Sequence, residues 1–362
     1  MKNKEERFDE AGKPAKKKGA DVPTEKQQKV MRTINRILGF LLTTVILIGV
    51  IGLGAEYVLV KGPSHALRDT FVMTMLETRR FGFIPSIFLS DAEVAEIRSN
   101  NEVTVKVETD VSLIHLPNQD GDVSGIGEEG YIPLDYGLVD EDGDGIIVDK
   151  VKGSTFEGYM IIVLDPTRVF VGKPDYYGGS GITVEMMCKK YDAIGGINAG
   201  GFYDDAGSGM GGEPSGLTVV DGVYYNETGI RENFVGFDED GLMYVGDMNA
   251  ADAREKGIVN GVTFSPALVS NGVPLSTYGS INPRTAIGQR ADGAVLLLVV
   301  DGRQAHSIGC NYEDLTEIML DYGAVNACNL DGGSSSVMWY EDGYINSPAA
   351  TPRPLPTAFL FR

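Results

Sequence analysis

Hydrophobic and polar positions change period several times along the chain. Residues 37–60, ILGFLLTTVILIGVIGLGAEYVLV, carry no charge until Glu56. That is about the run a helix needs to cross a bilayer. From about residue 152 the pattern shortens into strands. LTVVDGVYY, VGFDEDGLMYVG, ALVSNGVPLS, QRADGAVLLLVV and MWYEDGYIN each hold a D-G or N-G between strand-like residues, which predicts five antiparallel hairpins. TVEMMCKKYDA (183–193) and EDLTEIMLDYG (313–323) show helical apolar spacing instead, and a short apolar strand ending in glycines follows each. The expected fold class is α+β, with few helices against a largely antiparallel or mixed sheet, preceded by a single transmembrane helix.

Charge divides the same chain. Residues 1–36 hold eleven Lys/Arg against six Asp/Glu, which leaves 20 against 45 for the remainder. A basic, Pro/Gly-interrupted segment before an apolar run fits a cytoplasmic tail, and the positive-inside rule then puts the C-terminus outside. A basic region this long disfavours a cleaved signal peptide, and the length of the apolar run disfavours a buried core helix. The expected organisation is a tail (1–36), a transmembrane helix (37–60), a membrane-proximal stalk (61–100), an acidic extension (101–151) and a main domain (152–362). The stalk holds paired arginines and a Pro-containing apolar patch, suited to lipid, to a partner or to packing on the domain. So acidic an exterior argues against nucleic acid as a partner.

In VDEDGDGIIVDK, Asp140, Asp142, Asp144 and Gly145 have the spacing of the start of an EF-hand loop. Val151 stands at the twelfth position in place of the bidentate Glu. Calcium on the three aspartates and a solvated acidic turn are the two readings; no other cofactor is expected. Three cysteines, Cys188, Cys310 and Cys328, exclude a disulfide-stapled scaffold and leave a Cys310–Cys328 bridge as one option.

The candidate chemistry sits at strand ends. AIGGINAGGFYDD supplies Asn198 before Gly200 and Gly201; AVNACNLDGGSSS supplies Asn329 and Asp331 before Gly332, Gly333 and Ser334. A third strand, VLLLVVDGRQAHSIG, ends in Asp301, Gly302 and Arg303, with His306 just beyond. If these strands are neighbours in the sheet, their ends converge on one cleft able to hold a polyhydroxylated ligand. In NPRTAIG, Pro283 fixes the backbone before Arg284, whose guanidinium at a strand mouth would suit a planar anion or pair with a carboxylate.

The run INAGGFY, GGEPSG, NPRTAIG, VVDGR, SIG, NLDGGSSS and INSP…PRPLPTAFLF resembles the phosphodiester glycosidase family, in the family's order, over roughly residues 152–362. The family form has a third glycine after LDGG, where this chain has Ser334. The resemblance implies an α+β domain that removes a sugar, of N-acetylglucosamine type, from a sugar-1-phosphodiester. A phosphate monoester is already a good leaving group, so an Arg could replace the acid that ordinary glycosidases use. Arg284 is then expected at the phosphate. Asp331 and Glu213 are the first candidates for nucleophile or base, with Asp301 next. Asn198 and Asn329 would orient sugar hydroxyls or an acetamido group, Arg353 or His306 would add to the anion pocket, and Arg303 is expected among the substrate-binding residues.

A serine hydrolase would use the serines after Asp331, but the chain lacks G-x-S-x-G. Past the stalk only His115 and His306 occur, too few for a zinc centre. The competing class is a glycan-binding module without turnover. The expectation is a membrane-anchored extracellular hydrolase of a glycosyl phosphodiester in bacterial cell-surface polysaccharide metabolism.

Overall fold

The computed structural model describes residues 24–77, 81–101, 108–116, 138–203, 209–275 and 279–362. Contacts divide the chain into two compact units, residues 1–59 and 60–362. In the first, helix α1 (Glu25–Lys61) is long and apolar enough to cross a membrane, a property shared by a membrane span and a signal sequence. In the second, α2 (His65–Glu77), a short turn (Pro85–Ile87) and α3 (Asp91–Asn101) bury Val60, Val72, Leu89 and Ile97 in a small cluster of their own.

The strands begin with β1 (Ile146–Lys152), β2 (Glu157–Val163) and β3 (Val169–Gly172), followed by α4 (Val184–Tyr191) and β4 (Gly195–Asn198). Two hairpins come next, β5 (Thr218–Val220) with β6 (Val223–Tyr225) and β7 (Glu232–Phe237) with β8 (Met243–Met248). A short helix α5 (Ala250–Glu255) leads to β9 (Asn260–Thr263), β10 (Ala267–Ser270) and β11 (Val273–Pro274). The last stretch holds β12 (Arg284–Arg290), β13 (Val295–Val300), α6 (Tyr312–Asp321), β14 (Ala324–Leu330), β15 (Met338–Tyr340), β16 (Gly343–Tyr344) and β17 (Ala358–Phe361). They form three sheets of order β1-β2-β13-β12-β14-β10-β11, β16-β15-β4-β17-β3 and β6-β5-β9-β7-β8. The fold is α+β with antiparallel pairing.

Both predicted helices and all five predicted hairpins form. Their turn chemistry explains why. Asp221-Gly222 and Asn271-Gly272 have positive φ at both central residues, as a two-residue hairpin turn of the right twist requires. Before Gly343 the turn falls one residue earlier than the D-G predicts: Tyr340 pairs with Gly343, and Glu341 takes the positive φ.

The VLLLVV run of β13 is buried along its whole length. Val295, Leu297 and Val299 enter the core shared by the three sheets, whereas Leu296, Leu298 and Val300 enter a second core with Leu315, Ile318 and Met319 beneath α6. Burial on both faces removes the polar alternation from the strand. Truncating any of these leucines to alanine costs about 2–5 kcal/mol. A third cluster packs Val184, Met187 and Cys188 of α4 on Trp339 and Leu360. Trp339 is the single tryptophan; it pairs with Gly196 across the β15–β4 ladder and meets Tyr344 edge-on.

One expectation is corrected here. β4 is not a neighbour of β13 and β14; it lies in a different sheet, beside β15 and β17. Sequence order carries the hairpins, but the partner of a lone four-residue strand is set by distant segments.

Candidate active site

Within the seven-stranded sheet, β12 lies between β13 and β14, with Arg284 opposite Val300 and Thr285 opposite Leu330. The start of β12 and the ends of β13 and β14 therefore reach one edge together, where Arg284, Asp301 to Arg303, and Asp331 to Gly333 follow. The Asn198 end of β4 meets them from its own sheet. Asn198 Nδ2 donates to the Asp331 carbonyl at 2.5 Å, and Asp331 N–H donates to Ala199 O at 3.0 Å.

Asn198 does not face a sugar. It is buried, and its Oδ1 accepts from Thr285 Oγ1 (2.9 Å) and Val337 N–H (3.1 Å), so the whole amide is engaged within the protein. Asn329 is also buried: its Nδ2 donates to Ser265 O, while Oδ1 lacks a hydrogen-bond partner. Both amides hold backbone where the sequence suggested sugar contacts. Gly200 and Gly201 serve close packing; a Cβ on Gly201 would lie 2.8 Å from Ser215 Oγ.

The NLDGGSSS turn has a different purpose. Gly333 N–H donates to Pro283 O at 2.8 Å, which seats the turn on the start of β12. Gly333 takes φ +65°, and a Cβ there would come within 3.3 Å of Arg303 Nη2. The glycine thus leaves room for a guanidinium. Asp331 and Ser334 are half-buried beside it.

Arg303 is exposed, itself at φ +58°, and its Nη2 donates to Asn282 Oδ1 at 2.8 Å. Desolvation and the neighbouring Arg284 charge lower its pKa from the ordinary arginine value. Arg284 is not available at the mouth as expected. It is 3% exposed, stacked 4.0 Å from the centre of the Tyr312 ring, and bonded through Nη2 to Ser280 O and Oγ. Its Nη1 lies 3.0 Å from Glu77 Oε2. Ser280 Oγ and Asn282 Nδ2 (3.2 Å) donate to the same Glu77 oxygen. Sequence reasoning missed Glu77, Ser280, Asn282 and Tyr312. The alternating polar residues of SINPR were a signal for two of them.

Asp301 is buried and structural in its contacts: it accepts from Asn346 Nδ2 (2.9 Å) and Ser347 N–H (3.0 Å), with the exposed His306 at 3.7 Å. Burial raises its carboxyl pKa despite these donors. Glu213 is exposed immediately before Pro214 of the Phe202–Pro214 bridge, and Arg353 lies over the Phe202 ring at 4.7 Å while donating to Gly209 O.

Asp140, Asp142 and Asp144 do come together, with a ligand oxygen from each within 4.8 Å of the others. Their oxygens accept N–H bonds from Gly143, Gly145, Asp144 and Ile146 of the same loop. Val151, at the twelfth position, is buried in β1. The donor set lacks the bidentate twelfth-position carboxylate of an EF-hand. The cysteines are free and buried, which excludes the Cys310–Cys328 option; burial pushes all three thiols up to about 12.

Residues 191–362 match the model of the Phosphodiester glycosidase family. Over 200 residues the chain is 36% identical to the SPbeta prophage-derived uncharacterized protein YomE of Bacillus subtilis (strain 168), covering 51% of this chain and 29% of that protein. A stretch of 56 residues, 16% of this chain, is 45% identical to N-acetylglucosamine-1-phosphodiester alpha-N-acetylglucosaminidase of Bos taurus and covers 10% of it. The chain thus spans under a third of the length of either curated relative. The zebrafish N-acetylglucosamine-1-phosphodiester alpha-N-acetylglucosaminidase catalytic domain, described as auto-inhibited by pro-peptide, shares the fold with a TM-score of 0.51 at 23% identity, over 60% of this chain and 82% of that one. Strands β2 and β3 precede the matched segment yet pair with β13 and β17 inside it. With that framework around it, the segment 191–362 is similar to the phosphodiester glycosidase family.

Proposed function

We propose that this domain hydrolyses the glycosidic bond of a sugar-1-phosphodiester, with an N-acetylglucosamine-type sugar as the first substrate class to test. The observation that carries the reading is the meeting of Arg303, Asp331 and the Gly332-Gly333 turn at one sheet edge, within a segment similar to this family. Arg303 replaces Arg284 as the cation for the phosphate, because it is the exposed one of the two. It stabilises the charge that grows on the leaving phosphate as the C1–O bond breaks and the electron pair passes to that oxygen. Asp331 acts at the anomeric carbon, as nucleophile or as the base that takes a proton from the attacking water, and Glu213 is the second carboxylate. Asn198 is a positioning residue, since it holds the Asp331 backbone.

Helix α1 would anchor the domain with the N-terminus inside and the domain outside, where cell-surface polysaccharide would be the substrate. The test is sugar release from a nucleotide-linked N-acetylglucosamine by the full chain in detergent, beside Asp331→Asn. Release abolished by the substitution supports the reading. Binding of the compound without release would instead favour a glycan-recognition module.

A further inference from the structure

A stretch without a charge, FGFIPSIFLS (81–90), lies between α2 and α3. Its apolar side chains divide into two sets. Pro85 and Leu89 are buried, and Leu89 shares a cluster with Val60, Val72 and Ile97, against which Phe88 packs. Phe81, Phe83 and Ile87 are left outside that cluster, 46%, 66% and 46% exposed. Three large apolar side chains so close together are an unfavourable surface to leave in water.

The backbone of this stretch is suited to a drier neighbour. Ile84 N–H donates to Phe81 O, Ser86 N–H to Phe83 O, Ile87 N–H to Ile84 O, and both Phe88 and Leu89 N–H to Pro85 O. Pro85 has no N–H to place. From Ile84 to Leu89 the segment therefore satisfies its own donors, as backbone in a medium poor in water must.

The position of the stretch along the chain supplies that medium. Helix α1 runs unbroken from Glu25 to Lys61, and its apolar run from Ile37 meets a first charge at Glu56. Residues 37–55 make roughly 29 Å of helix, the depth of a hydrocarbon core. Val60 stands four residues past Glu56, about 6 Å further along the axis, which is the depth of the headgroup layer. It is buried in the cluster that holds Leu89, and the next residue, Lys61, bonds Glu93 Oε1 of α3 at 2.8 Å. Ile87 is two residues from Leu89, at most about 7 Å of chain. The uncharged turn is thereby tied to the level of the headgroups.

We propose that Phe81, Phe83 and Ile87 dip into the headgroup and upper acyl layer of the bilayer as a second membrane contact beside α1, an inference that goes beyond the hydrolase reading and rests on that of α1 as a span. Lipid is the occupant because the span brings it to the turn whether or not a protein partner is present. Apolar side chains on such a face bind a bilayer through the area they bury. A lone helix fixes one point of the domain and leaves its tilt free. Two contacts fix the tilt, and the domain then keeps one side to the membrane.

The experiment uses the full chain in phosphatidylcholine vesicles, with an environment-sensitive fluorophore on one introduced cysteine. The native thiols stay unlabelled, since Cys188, Cys310 and Cys328 are 1%, 0% and 0% exposed. Phe83→Cys places the label on the turn, Ile48→Cys inside the span, and Ile230→Cys, at a side chain 66% exposed, in water as the reference. The Phe83→Cys label should emit at shorter wavelength than the Ile230→Cys label and lose intensity when the lipids carry a nitroxide near the top of the acyl chain. A label there as unquenched as the reference overturns the proposal. A shift to shorter wavelength without quenching overturns it too, since a protein surface then covers the patch. Ile87→Cys gives the same reading if the first variant does not fold. Ile48→Cys, read with a deeper nitroxide, tests the span by itself. Quenching there but not at Phe83 keeps the span and sinks the lipid face; quenching at Phe83 alone does the reverse.

Discussion

Asn198 in one sheet donates to the backbone carbonyl of Asp331 at the edge of another, at 2.5 Å. The carboxylate proposed to act on the sugar is thus placed by an amide 133 residues away that never meets the solvent. Asn198→Ala leaves the Asp331 carbonyl, the Thr285 hydroxyl and the Val337 N–H without their partner. An unpaired buried polar group costs about 1–3 kcal/mol. Denaturant melts should show a loss of at least that size, with lower sugar release. A fully stable and active variant would remove Asn198 from the positioning role.

Gly333→Ala combines two penalties. A left-handed φ is worth roughly 1–2 kcal/mol against a residue with a Cβ, and the new methyl presses on the Arg303 guanidinium. The expected kinetic signature is a raised KM with a smaller change in kcat, because the phosphate contact is disturbed and the sugar side is not. A kcat loss alone would place the turn closer to the bond being broken.

Arg303→Lys keeps the charge but loses the planar fork and the bond to Asn282. A hydrogen bond to a charged group is worth about 1.5–3 kcal/mol, which is roughly ten- to a hundredfold in kcat/KM. Steady-state kinetics on the substrate decide this. An unaffected enzyme would return the phosphate to Arg284 alone.

Asp301 sets a pH dependence of stability. Burial raises its carboxyl above the ordinary carboxylate range, so the folded chain holds that proton more tightly than the unfolded chain does. The contribution is full below the unfolded value and is lost as pH rises through the raised folded value. Asp301→Asn stays neutral throughout, so the stability difference between wild type and variant should decline across that window and then level off. Melts over a pH series measure the difference; a difference that grows with pH would contradict the sign.

What the sequence made legible follows from how local the physics is. The D-G and N-G hairpins needed only turn chemistry and flanking apolar residues, and the two amphipathic helices only their period. NLDGGSSS was readable as a turn with room beside it, although the group using that room is Arg303. The sequence left Arg284 open between an anion and a carboxylate because its neighbours come from afar: Glu77 lies 207 positions upstream in α2, and Tyr312 opens α6. A strand mouth in sequence does not show whether a carboxylate from another helix already fills it. Asn198 and Asn329 were read as open to a ligand because polar residues beside glycines often are. Burial reverses that reading for Asn198, whose amide finds its partners within the fold, and leaves Asn329 with one partnered and one unpartnered end.

Trp339 lies on β15 opposite Gly196, two residues from Asn198, and the chain has no other indole. Its ring meets Tyr344 and has the Lys189 ammonium 5.6 Å from its centre. Tryptophan emission of the chain, excited apart from its tyrosines, therefore originates from the sheet that holds Asn198. The molecule carries its own optical probe of that half of the site, and emission followed during unfolding will time the release of this sheet separately from the loss of total secondary structure.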